Sequence, residues 1–313
     1  MDVILQIGAH RTASTSFQTY LRQHSCELNE QGMGFWGPPR LRRGLLYGVI
    51  ANPNQRQPPL EFARAQGRIS LQLEQSRLKG LTQLVVSDEN MLGIKRHNIS
   101  NQTLYPTAGE RLAKYVAAFG GSVKTIHLSL RCPSTYWTSA LSFCIPRGVR
   151  VPSCARIAAL STHTRTWRDV ITDISAAAPD VAIYVSTYEQ HAAAPQSMLS
   201  YLMGQSGPVS NTQIWRNKRP SAQELLRLPL GAEEFQNLSA NICGNHWQPF
   251  SQVQRTMLQE HYADDLFWLR SGADGLAHLL EDPKSEKTGL PAGLDFVKKG
   301  QRYDARQRMA RPS

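Results

Sequence analysis

The chain has 313 residues, 41% hydrophobic and 19% charged, a globular composition with enough apolar residues for a substantial core. Lysine and arginine number 35 against 24 aspartate and glutamate, a formal charge of +11 that favours anionic ligands or partners without saying which. Five scattered cysteines (Cys26, Cys132, Cys144, Cys154, Cys243) show no zinc-type spacing, and neither a basic leader nor an apolar run near about 20 residues is present, so a cytoplasmic chain with reduced thiols and no transmembrane segment is expected.

In chain order, Val3–Ile7 is a short apolar run ended by Gly8, and Thr15–Leu21 follows with Phe17, Tyr20 and Leu21 at helical spacing, so the chain opens as strand, tight turn and helix. Gly32–Pro59, rich in Gly, Pro, Arg and Asn, reads as an excursion from the sheet that borders a substrate cleft. Leu84–Val86, Val123–Leu130 and Val181–Val185 are further buried-strand candidates, separated by helical patterns such as Ala108–Phe119 and Ile157–Ala177. Residues 206–254 are irregular, with Pro208, Pro220, Pro229 and Pro249, and are expected to form a lid or cap; Thr256–Leu269 resumes a helix.

The expected organisation is one α/β domain over residues 1–282 with insertions at about 32–75 and 206–254, followed by a polar, basic tail over 283–313. Strands rich in Val, Ile and Leu that alternate with helices predict a three-layer sandwich around a mostly parallel sheet, with ligands bound beyond the carboxyl ends of the strands.

The first strand end carries Gly8-Ala9-His10-Arg11-Thr12-Ala13-Ser14-Thr15-Ser16 directly before a helix. Backbone N–H groups, a helix N-terminus, hydroxyls and one cation make an anion cradle; capping the helix would need only one of the hydroxyls. The turn lacks the Gly-Lys-Ser/Thr ending of a Walker A loop. It resembles the 5'-phosphosulfate loop of the sulfotransferases that use 3'-phosphoadenosine 5'-phosphosulfate (PAPS). Where that family has Lys, Ser or Thr, Gly and two hydroxyl residues, this chain has Arg11, Thr12, Ala13, Ser14 and Thr15, with Ser16 next. Arg11 keeps the charge of the usual Lys on a planar fork, and Ala13 in place of Gly demands that the loop avoid positive φ.

After Val123–Leu130, Arg131 is followed by Pro133 and by Ser139 in the next helix, a spacing that matches the 3'-phosphate site of the same family. A guanidinium suits a dianionic phosphate, although singly a surface arginine and a helix-face serine need no ligand. Ser87-Asp88-Glu89-Asn90 offers a carboxylate to take an acceptor proton. Several carbohydrate sulfotransferases are similar in using a Glu, so Glu89 is the expected base, with Asp88 and His10 as rivals and helix capping as the structural alternative.

Tyr188-Glu189 is similar to the family's Tyr-Glu step, whose ring lies near adenine. Arg216-Asn217-Lys218-Arg219 is comparable with the cationic loop that closes over the 3'-phosphate, which makes Arg219 a cofactor contact. The resemblance is to bacterial-type members with short loops and a P-loop-NTPase-like sulfotransferase fold, and spans residue 3 to about residue 190 with weaker echoes to Leu269. It implies transfer of a sulfonate from PAPS to a hydroxyl or amine of a small-molecule or glycan acceptor, with Arg11 neutralising the leaving phosphate, and no metal or nucleic-acid partner. An ATP-dependent kinase-like phosphotransferase and a non-catalytic basic protein binding nucleic acid or a glycan remain open alternatives. Trp36, Arg40, Arg42, Arg43 and Arg147 either border an acidic glycan or are surface residues.

Overall fold

Alternate side chains of the inner strands enter different cores, and this sets the layers. Val3, Leu5, Ile7, Leu84 and Val86 join one buried cluster, whereas Ile4 and Val85 join another with Phe17, Tyr20, Leu21 and Leu28. A strand buried on both faces needs helices on both. The computed structural model describes residues 1–51, 60–192, 194–204, 207–208 and 218–281. The tail expected over 283–313 therefore lies outside the described residues.

The strands are β1 (Asp2–Gln6), β2 (Met33–Trp36), β3 (Gln83–Ser87), β4 (Val123–Leu130), β5 (Ala182–Thr187), a short antiparallel hairpin of β6 (Ile242–Cys243) and β7 (His246–Trp247), and β8 (His278–Leu279). The main sheet has six strands in the order β2-β3-β1-β4-β5-β8, and each pairing in it is parallel. Helices α1 (Ser14–Gln23) and α2 (Ser25–Glu30) cover the second core, joined by Met198, Leu199 and Met203. The first core is closed by α3 (Glu61–Leu78), α4 (Lys95–Asn101), α5 (Ala108–Ala118), α6 (Pro133–Cys144), α7 (Cys154–Thr162), α8 (Trp167–Ala177) and α9 (Gln252–Arg270). The chain is thus an α/β three-layer sandwich around a parallel sheet, and the strand order turns at β1, which lies between β3 and β4. No helix among the described residues is long and apolar enough to cross a membrane.

Three elements differ from the sequence reading. Gly32–Pro59 is not wholly an excursion: Met33–Trp36 is an edge strand of the sheet, in register with Gln83–Val86. The single helix expected over Ile157–Ala177 is broken in two, because Thr166 caps α8 in a reciprocal box with Asp169. The helix expected from Thr256 begins at Gln252, where Ser251 and Gln254 form another such box. Part of the irregular 206–254 segment, residue 206 and residues 209–217, lies outside the described residues.

Near the site the second face of the sheet is polar. Ser87 Oγ donates to Gln6 Oε1 at 2.5 Å, and Ser129 and Ser186 hydroxyls meet at 3.2 Å. His127 is fully buried beside them, with Nε2 2.9 Å from Ser186 Oγ. Burial, helped by nearby His191, pushes its pKa down to about 3. The unfolded chain binds a proton here near the ordinary 6.5, so this contribution to stability is lost as pH falls from 6.5 towards 3, by an amount on the order of 5 kcal/mol. Urea denaturation at pH 7.5, 6 and 4.5 should show a falling midpoint, and His127→Asn should flatten that fall.

Candidate functional site

β1 extends its ladder past Gln6: Ile7 N–H donates to His127 O at 3.0 Å and Ala9 N–H to Ser129 O at 2.9 Å. The chain then folds back so closely that a β-carbon on Gly8 would lie 3.0 Å from Gln6 Nε2 and 3.1 Å from Ser14 Oγ. Arg11 and Ala13 both hold left-handed backbone, with φ of 68° and 63°. The expectation that Ala13 keeps the loop out of positive φ is overturned: the conformation glycine would supply is present, and the Cβ is carried at about 1 to 2 kcal/mol. The surrounding hydrogen bonds impose it. Ala13 is the N-cap of α1, whose first turn has neither a side-chain cap nor an acid, so the partial positive charge of the helix start is left for a ligand. Ala13, Ser14, Thr15 and Ser16 line the space in front. Thr12 does not; it is buried, and its hydroxyl donates to Ala9 O at 2.6 Å, stapling the turn.

Pairing of β1 with β4 sets the second expected group beside the first. Arg131 Nη1 donates to the Arg11 carbonyl at 2.7 Å, and Arg11 Nε donates to Ser139 Oγ at 2.9 Å. Thr135 Oγ1 accepts from Arg131 Nε at 3.0 Å, and the Tyr188 ring lies 4.1 Å from its guanidinium. Tyr188 thus packs on Arg131 as a cation–π partner. Glu189 braces the turn from behind, accepting from Cys132 N–H at 3.0 Å and from Tyr262 OH at 3.1 Å.

Neither Arg11 nor Arg131 has a carboxylate partner among the described residues. Burial, reinforced by Arg131, pushes the Arg11 guanidinium down to about 10, and burial lowers Arg131 as well. Arginine keeps its proton at such values, so two half-buried charges stand side by side, with Glu189 acting on Arg131 only from a distance, and an anion in the cavity would offset their repulsion.

Asp88 is committed elsewhere. Its two oxygens accept from Arg42 at 2.9 and 2.6 Å, and Oδ1 also accepts from Asn90 N–H at 2.9 Å. Glu89 faces the cavity, with Oε1 3.2 Å from Arg42 Nη2 and Oε2 accepting from Gln18 Nε2 at 3.3 Å. Burial would raise its pKa, but a backbone hydrogen bond, His10, Arg42 and Gln18 outweigh burial and hold the carboxyl below its usual range. It is ionised at neutral pH and able to accept a proton.

His10 is buried, with Nε2 3.1 Å from Asn90 Oδ1 and Nδ1 2.8 Å from Tyr105 OH. An amide oxygen only accepts, so Nε2 carries the hydrogen and Nδ1 takes the Tyr105 hydroxyl proton. Burial pushes His10 down to about 4, which leaves a neutral ring with no lone pair towards the cavity.

Except for Thr12 and the rival base Asp88, the expected residues line one cavity of about 540 Å³, whose wall includes Lys218 and Arg219. Arg216 and Asn217 lie outside the described residues. The lining side chains include seven lysines and arginines and one carboxylate, Glu89. Sequence reading missed Lys95 and Gln18. Lys95 Nζ stands 4.7 Å from the centre of the Phe143 ring, which Arg11 approaches at the same distance, and burial lowers its pKa. A signal for it existed, since Lys95 opens α4, where the helix dipole disfavours a cation. Gln18 had none.

Comparisons with protein-family models, curated proteins and solved structures find no match for this chain.

Ala13→Gly should relieve the left-handed strain and stabilise the fold by about 0.5 to 1 kcal/mol after the greater freedom of glycine in the unfolded chain is subtracted. A higher urea midpoint at unchanged slope would register this; a lower midpoint would mean the Cβ is not strained.

Proposed function

We propose that this chain is a sulfotransferase that moves a sulfonate group from PAPS to a hydroxyl or amine of an acceptor, on a P-loop-like sulfotransferase fold. One observation carries the reading: two half-buried guanidinium groups with no carboxylate ion-pair partner among the described residues, Arg11 and Arg131, meet at adjacent strand ends in a cavity where Glu89 is the one lining carboxylate among those residues. Cations fixed side by side suit a ligand with two separate anionic groups. A volume of about 540 Å³ is ample for a nucleotide. The five cysteines are unpaired, which agrees with the cytoplasmic location proposed for the chain.

In this reading Ser14, Thr15, Ser16 and the start of α1 hold the 5'-phosphosulfate, and Arg131, Ser139 and Arg219 hold the 3'-phosphate. Tyr188 lies beside the adenosine. Glu89 takes the proton of the acceptor oxygen as that oxygen bonds to sulfur and the bond from sulfur to the phosphate oxygen breaks. Arg11 and the helix N–H groups neutralise the charge left on that phosphate, a preorganised field aimed at developing charge. Binding at the remote 3'-phosphate supplies orientation.

Thermal shift separates this reading from its rivals. The product nucleotide, 3'-phosphoadenosine 5'-phosphate, should raise the melting temperature more than ATP with Mg²⁺ or single-stranded DNA; a lead for ATP would favour a phosphotransferase, and a lead for DNA a nucleic-acid binder. Arg131→Ala should weaken the product nucleotide by about tenfold or more while barely affecting adenosine 5'-phosphosulfate, and equal losses would remove the 3'-phosphate role. Glu89→Gln should keep nucleotide affinity and slow transfer about 100-fold to 10,000-fold in an acceptor screen with labelled PAPS, whereas unchanged turnover would exclude Glu89 as base.

A further inference from the structure

Arg22 and Pro39 belong to the wall of the cavity. Both residues also line a groove of about 380 Å³ beside the edge strand β2, walled by residues of α2 and α3. Among the described residues its charged lining is Arg22, Arg40 and Lys79, with no acid, and none of the three is in an ion pair. Arg40 is exposed yet held in place: its guanidinium lies 4.4 Å from the Trp36 ring centre, and Nη2 donates to Gln72 Oε1 at 2.5 Å. Gln72 Nε2 in turn donates to Gln75 Oε1 at 2.8 Å. Asn29 and Ser25 face the same groove.

The lining therefore interleaves cations with amides and the serines Ser25 and Ser76. Amides present a donor and an acceptor together, which suits pairs of neighbouring hydroxyls, and the cations suit carboxylate or sulfate groups spaced along a chain. The Trp36 ring is buried and covered by Arg40, so it offers no open face for stacking, and Phe35, the other aromatic of the lining, is half-buried.

We propose that this groove is the acceptor subsite and that it takes an acidic oligosaccharide. The proposal rests on the sulfotransferase reading for the reaction itself: one sugar hydroxyl reaches Glu89 while the rest of the chain passes Arg22 and lies along Arg40 and Lys79. The two spaces share Arg22 and Pro39 in their walls, so an extended molecule bound in both would pass these two residues.

The test is calorimetric titration of the full chain, with and without saturating 3'-phosphoadenosine 5'-phosphate, at about 150 mM salt so that unspecific attraction is screened. The probes are a chondroitin sulfate hexasaccharide, a neutral dextran hexasaccharide, hexaglutamate and a six-nucleotide oligothymidylate. The acidic sugar should bind at least about tenfold more tightly than the other three. The double variant Arg40→Ala, Lys79→Ala, altered only at exposed positions, should weaken it by about tenfold or more while nucleotide affinity and melting temperature stay unchanged. Equal binding of dextran, tighter binding of hexaglutamate or oligothymidylate, or a double variant that binds the acidic sugar like the parent would overturn the groove assignment. Failure of the nucleotide to bind, with acidic-sugar binding still dependent on Arg40 and Lys79, would sink the cofactor reading and leave the groove standing.

Discussion

A hydrogen bond of 2.7 Å from Arg131 Nη1 to the Arg11 carbonyl ties two positive charges together at the mouth of the sheet, and the local architecture is arranged around that constraint. It exists because β1 and β4 are paired and because Arg11 adopts a left-handed backbone. The protein answers the repulsion with rings and hydroxyls rather than carboxylates: Tyr188 against Arg131, Phe143 against Arg11, Ser139 and Thr135 as acceptors. Such partners orient a guanidinium without cancelling its charge. That charge remains available to an incoming anion.

Much of this frame was readable from the sequence because it is local. The apolar runs at β1, β3, β4 and β5 are short and flanked by turn residues, and a parallel sheet places all their carboxyl ends on one side. Arg131 and Ser139 follow the same logic. Pro133 starts α6 immediately beyond the strand end, so a serine two turns into the helix is carried back towards Arg11. Strand, stop and helix phase together specify that contact without reference to the rest of the chain.

What the sequence did not reveal depends on partners far along the chain. The hydroxyls of Thr12 and Ser14 look alike in sequence, yet the turn buries one under Ala9 O and shows the other to the cavity. Asp88 and Glu89 are adjacent carboxylates, and Arg42, reaching in from the segment after β2, decides which is fully occupied. β2 itself hides in four residues flanked by glycines, too short for a clear alternation, and its place at the sheet edge comes from pairing with β3. Ala13 followed the needs of the turn over its own backbone preference.

Gln18 lies one helical turn beyond the first residue of α1 and reaches down to Ser87 Oγ at 3.0 Å and to Glu89 Oε2 at 3.3 Å. Ser87 is itself anchored to Gln6 in the neighbouring strand. The helix is therefore a yoke: its start faces the cavity while one amide from its middle reaches the carboxylate. In the proposed reaction that side chain, with Arg42 on the other oxygen, would set the spacing between the donor and acceptor halves.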